Sequence, residues 1–141
     1  MPSYSNKVIW KGEHRGYMYC ENGTEMEFSA PPDLHGHHRM MTPEDAYVAA
    51  INTCVHMMVI WAAERFKIEL LSFECEATGE VEERIDKTSW FNRVTLKPHL
   101  IVRNTKEAIV KRALQAARKY STIADSVKSE IIIEPVIEIV E

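Results

Sequence analysis

The chain has 141 residues, 45% of them hydrophobic and 27% charged, with a net charge of −4. That length suits one domain with its own core, and that balance suits a water-facing globular protein. The acidic sign offers no basic surface to nucleic acid or to an anionic membrane, and three widely spaced cysteines with no CxxC pair exclude a disulfide scaffold and fit a reducing cytoplasm.

The opening MPSYSNKVIW lacks the charged, then apolar, then small order of a secretion signal. Residues 7–30 read as a β-meander. Asn22-Gly23 is a two-residue hairpin signal, and in TEMEFSA (24–30) Met26 and Phe28 alternate with Glu25 and Glu27. Residues 31–41, PPDLHGHHRMM, carry turn formers and no periodicity, so they form a loop. A long helix follows over about 43–66: Thr42 is a good N-cap, Pro43 suits the first helical position, and Glu44 and Asp45 suit the positive end of the helix dipole.

Residues 69–82 alternate, with Leu71, Phe73, Cys75, Ala77 and Val81 facing one way and Ser72, Glu74, Glu76, Glu80 and Glu82 the other. Residues 88–103 do the same: Trp90, Val94, Leu96, Leu100 and Val102 point inward, Arg93, Lys97 and Arg103 outward. Pro98 marks an edge strand or a bulge. Asn104 with Glu107 has capping-box spacing before a helix over about 105–120, whose apolar face carries Ile109, Ala113, Leu114, Ala117 and Tyr120. Ser121 caps a short helix over about 121–128. A final strand spans about 130–140, with Ile131, Ile133, Ile137 and Ile139 on one face and Pro135 at an edge or bulge. The order predicts one α+β domain over 1–141, mostly antiparallel, with one or two helices laid on a sheet.

The long helix is apolar on all sides. Ala46–Ala63 approaches the length of a membrane span, but Asn52, Thr53 and His56 lie inside it and Asp45 and Glu64 close on its ends, with no flanking Lys/Arg cluster. The expectation is instead a core helix, or one buried by a partner subunit. Cys54 sits in its middle, with Ile51, Met57, Met58 and Trp61 among its helical neighbours. Its packing reading is a small core hydrophobe; its chemical reading is a reactive thiol, which needs a nearby cation. The loop histidines His35, His37 and His38 lack a second pair at zinc-ligand spacing, so a solvated loop is the expectation and no metal is assigned.

TPEDAYVAAINTC (42–54) resembles the [N/T]PExLxxAAxxxC signature of the OsmC/Ohr family of osmotically inducible and organic hydroperoxide resistance proteins, with Ala46 in place of the usual leucine. FNRVTLKPHLIV (91–102) resembles the strand after that family's central helix. RGYMYCENGTEMEFSAPPDLHG resembles its N-terminal sheet, and STIADSVKSEI (121–131) resembles its second cysteine motif, C-P-[IV]-[SA]-x-x-[LV]. The resemblance covers nearly the whole chain in order. It implies an intertwined homodimer with active sites at the subunit interface, and a thiol-dependent peroxidase acting on hydroperoxides. Carried over by position, Cys54 attacks the peroxide, Arg15 supplies the positive charge that favours thiolate and alkoxide, and Glu44 orients Arg15.

Ser121 stands where the family has its second, resolving cysteine. A serine forms no disulfide, so the two-cysteine cycle is unavailable. Three readings follow. The first is a one-cysteine peroxidase that needs no cofactor and is reduced by an external thiol (a small-molecule thiol, coenzyme A or a dithiol protein), with Cys20 a distant candidate resolver. The second is a cleft that binds an apolar or thiol-bearing small molecule without turnover, with Ile51, Met57, Met58 and Trp61 as lining. The third is a structural homodimer in which Cys54 only packs.

Overall fold

The computed structural model describes residues 1–141. The chain forms two compact units, Met1–Tyr47 and Val48–Glu141.

The first unit is a three-stranded antiparallel sheet in the order β1 (Asn6–Trp10), β2 (Arg15–Cys20), β3 (Glu25–Ser29), the meander expected from the alternation. Its β2–β3 turn is longer than the Asn-Gly pair predicts. Only Gly23 takes a positive φ, +96°, while Asn22 Oδ1 accepts a hydrogen bond from Thr24 N at 3.0 Å. The side chain thus closes the turn locally in place of a tight two-residue hairpin. Gly16 lies under the Phe28 ring, where an added Cβ would come within 2.6 Å of it. After β3 the loop contains a short 3₁₀ turn at Pro32–Leu34, and it returns to pair Ser29 N with Met41 O at 3.0 Å.

Helix α1 (Pro43–Arg65) begins in this unit and continues unbroken into the second. Its start is a reciprocal cap. Thr42 Oγ1 accepts from Asp45 N at 3.0 Å, and Asp45 Oδ2 accepts from Thr42 N at 3.1 Å.

In the second unit α1 is followed by β4 (Glu69–Glu83), β5 (Ser89–Arg103), α2 (Glu107–Tyr120), α3 (Thr122–Asp125), β6 (Glu130–Ile133) and β7 (Val136–Val140). The long strand β5 is the spine. It pairs antiparallel with β4 on one side and parallel with β6, then β7, on the other. Two helices separate β5 from β6, which is the kind of crossover a parallel partner requires. The sheet is therefore mixed, while pairing over the whole chain is mostly antiparallel as expected. Pro98 is on no edge: it sits in the central strand, at the gap where pairing with β6 ends at Leu96–Ile133 and pairing with β7 begins at His99–Val136. Pro135 lies in the same gap and splits the expected final strand in two.

The inward face of β5, Val94, Leu96, Leu100 and Val102, is buried as the alternation predicts. The outward face is paired by register. Glu69 opposes Arg103 with an N–O distance of 3.1 Å, and Glu80 opposes Arg93 at 3.5 Å. Such exposed pairs stabilise little but disfavour slipped registers. In β4, Phe73, Cys75 and Ala77 face inward, but Leu71 and Val81 do not, being 44% and 57% exposed. The register shift at Leu70/Ser72 makes Leu71 an extra residue in β4, and the shift at Glu80/Val81 makes Asn92 an extra residue in β5.

Helix α1 lies along the inward side of β4. Val48 meets Gly79, where an added Cβ would stand 2.8 Å from Val48 Cγ2, and His56 stacks on Phe73 with ring centroids 4.7 Å apart. The helix buries Ile51, Val55, Val59 and Ala62, a stripe at helical spacing, each apolar branched side chain contributing about 1.5–3 kcal/mol. By composition α1 is long and apolar enough to cross a bilayer. Its neighbour β4, however, carries solvent-facing Glu74, Glu76 and Glu80, which no hydrocarbon layer accommodates.

Helix α2 buries Val110, Ala113, Leu114 and Ala117. Tyr120 is left outside, 54% exposed, against the edge of Trp61. Asn104 does not cap α2. It adopts φ +58° and donates to Glu69 Oε2 at 3.0 Å, while Lys106 occupies the N-cap position without a side-chain bond. The left-handed backbone at Asn104 ends the strand, and the Asn side chain is spent across the sheet.

Candidate active site

Cys54 is half-buried on α1, beside the stripe that faces the sheet. Its thiol makes no hydrogen bond within the chain. The adjacent Thr53 hydroxyl donates back to Ala49 O at 2.8 Å, so it presents no free donor to the thiol's surroundings. Of the residues expected around Cys54, Met57 is 53% exposed and Met58 and Trp61 are half-buried. Ile51 is fully buried and belongs to the core under the helix. The opposite flank of α1 holds the polar groups. Asn52 Nδ2 donates to Cys75 O at 3.1 Å, and a cavity of 210 Å³ opens between Asn52, His56 and β4. Burial pushes the Cys75 thiol up from its ordinary value, which keeps it protonated and unreactive at neutral pH.

Arg15 opens β2 and is half-buried, and its Nε is buried with no hydrogen-bond partner in the chain. The same holds for Arg103 Nε, so this alone does not set Arg15 apart. Glu44 is exposed in the first turn of α1 and forms no ion pair with Arg15. The helix is continuous from Glu44 to Cys54, a rise of about 15 Å, so carboxylate and thiol do not meet along it.

Ser121 is fully buried and structural. Its Oγ accepts from Ala124 N at 3.2 Å, capping α3, and its own N–H donates to Arg118 O at 3.4 Å. The loop histidines do not converge. His37 Nε2 lies 2.9 Å from Glu13 Oε2, His35 stacks near His14 at 5.6 Å, and no three His, Cys, Asp or Glu side chains come together as metal ligands would. Sequence reasoning missed Asn52. A polar residue two positions from a cysteine in an apolar helix is its only signal, and its partner is a backbone carbonyl that no side-chain pattern reveals.

The sequence model for OsmC-like proteins matches residues 36–136, a span that holds Glu44, Cys54 and Ser121. The chain belongs to the OsmC-like family. Solved structures agree on the fold. An OsmC-like protein of unknown function from Vibrio cholerae superposes with a TM-score of 0.88 at 20% identity, covering 96% of this chain and 100% of that one. An OsmC-like protein from Mycoplasma pneumoniae gives 0.84 at 12% identity, with 97% and 98% covered. An organic hydroperoxide resistance protein from Elizabethkingia anophelis gives 0.75 at 13% identity, with 99% and 98% covered. No curated protein matches the chain. Cys54 thus stands on the long helix of an OsmC-like fold, and Ser121 is a buried helix cap.

Proposed function

We propose that this OsmC-like chain reduces organic hydroperoxides through one reacting thiol, Cys54, and that an external thiol closes the cycle. The observation that carries the reading is the contrast between Cys54 and Ser121. Cys54 is half-buried, free of hydrogen bonds and flanked by apolar side chains. Ser121 is sealed in the core as a helix cap. The solved hydroperoxide resistance protein with this fold supports the substrate class.

In the reaction the Cys54 thiolate attacks the distal peroxide oxygen. The O–O bond breaks, and the alkoxide leaves as an alcohol after taking a proton. Sulfur is oxidised to sulfenic acid as the peroxide is reduced. One external thiol then condenses with the sulfenic acid and releases water. A second attacks the mixed disulfide, leaves as the external disulfide and returns Cys54 as thiolate. Arg15 serves as the charge that favours thiolate and alkoxide, and Glu44 as its orienting carboxylate. Arg15 is in no ion pair within the chain, which leaves its charge available for that role. A second copy of the chain covers the exposed Cys54 flank of α1 and completes the site as a homodimer. No metal or cofactor is required by this cycle.

The test is oxidation by cumene hydroperoxide of a variant with Cys20→Ser and Cys75→Ser, followed by intact mass. Uptake of one oxygen, far faster than by a free cysteine and reversed by added dithiol, is the expected result. Oxidation at the rate of a free cysteine sinks the proposal.

A further inference from the structure

A cavity of 330 Å³ opens between α2 and β6. Leu114 of α2, Ile131 and Ile133 of β6, and Pro135 at the break before β7 give it an apolar lining. Leu114 and Ile131 are almost wholly buried, so the floor is set by the core. Lys111 and Arg118 stand on the α2 side, seven residues and two helical turns apart, with the Gln115 amide between them. No acidic residue lines this groove, in a chain whose net charge is −4.

We propose that this groove is a second ligand site, separate from Cys54, that takes a small amphipathic carboxylate: one anionic head on a short apolar body. The volume is in the range of small-molecule pockets, and the pairing of an apolar floor with a few convergent polar groups is their usual build. Seven helical residues rise about 10 Å, so one carboxylate engages one cation. Arg118 is the anchor. It is half-buried, it has no acidic partner, and its planar fork matches a carboxylate in two parallel hydrogen bonds. Lys111 supplies attraction at longer range. Its acidic neighbour Glu107 is 3.7 Å away and both are exposed, a weak pair that leaves the ammonium free to turn. A second copy seated on the groove about a twofold axis would set these cations against their own images, which disfavours that occupant.

Octanoate is the probe, with octanol as the uncharged tail, followed by amide chemical shifts of the isotopically labelled full chain. The expected result is saturable binding, with shifts centred on α2 and β6, and octanol about tenfold weaker. Arg118→Gln is expected to weaken octanoate about tenfold, and Lys111→Gln by less. Both keep a good helix former, and Ser121 bonds the Arg118 backbone, so the α3 cap survives. Cys54→Ser is expected to change nothing. The proposal is overturned by no saturation below ~10 mM, equal affinity for octanol, shifts centred on α1, or unchanged binding in Arg118→Gln.

Discussion

Ser121 is a buried residue whose hydroxyl caps a helix. A hydroxyl oxygen accepts the Ala124 N–H well, and a thiol accepts weakly. Ser121→Ala is therefore expected to cost about 1 kcal/mol of stability, visible as a lower melting temperature, with the peroxidase rate unchanged. Cys54→Ser is expected to do the reverse: turnover lost, melting temperature kept. Arg15→Ala is expected to slow Cys54 oxidation by about a hundredfold, as loss of a charge-stabilising donor does, and stopped-flow oxidation measures it. Cys75 supplies the pH signature. Its raised value reflects a neutral thiol favoured by burial. Its contribution to stability is therefore complete below the ordinary thiol range and declines as pH rises through the raised value. Alkylation of Cys75 is expected to lag behind that of a free cysteine at neutral pH and to catch up in alkali.

At the scale of elements, α1 and β4 are held together by a glycine and an amide. Gly79→Ala places a methyl into Val48 and the Phe91 ring and is expected to cost about 1–3 kcal/mol, measured by denaturant unfolding. Asn52→Leu strips the donor from the Cys75 carbonyl and is expected to cost about 1–3 kcal/mol by the same measure. The strands β2 to β5, the Thr42 and Ser121 caps and the position of Cys54 were all legible in the sequence, because period-two alternation and capping residues are local signals. The register shifts were not, because Leu71 and Val81 continue the apolar alternation on paper and only the β4–β5 pairing shows the extra residues, Leu71 in β4 and Asn92 in β5. Pro98 marks an edge strand or a bulge on paper, since a proline cannot donate to a ladder. The ladder instead has a gap there, made by a second proline thirty-seven residues later. Asn104 and Glu107 had the right spacing for a cap and the wrong backbone. In the candidate site, Cys54 and its neighbours were legible from helical periodicity, whereas the burial of Ile51 and of Ser121 required the packed sheet.

At the scale of the whole molecule, the uncovered flank of α1 argues for association. Ala49, Thr53 and Met57 are exposed beside the half-buried Cys54, and the Thr53 hydroxyl is turned back onto Ala49 O, so the strip offers mainly apolar surface. Sedimentation at micromolar concentration is expected to show a dimer, and Met57→Glu to shift it towards monomer while octanoate binding at the α2–β6 groove persists. A stable monomer in the parent chain contradicts the interface.

The central placement of β5 also bears on the order of events as the chain is made. β4 and β5 are joined by a short turn, so their ladder closes a small loop and forms early. β6 and β7 join it only after α2 and α3 have been synthesised. Until then the far side of β5 is a bare edge of unpaired backbone N–H and C=O groups, a template for unwanted pairing with other nascent chains. A chain halted at Lys128 is therefore expected to aggregate, and one extended only through Ile133 to aggregate less, as pelleting of the truncated products would show. The last dozen residues serve as the molecule's built-in guard against its own assembly intermediate.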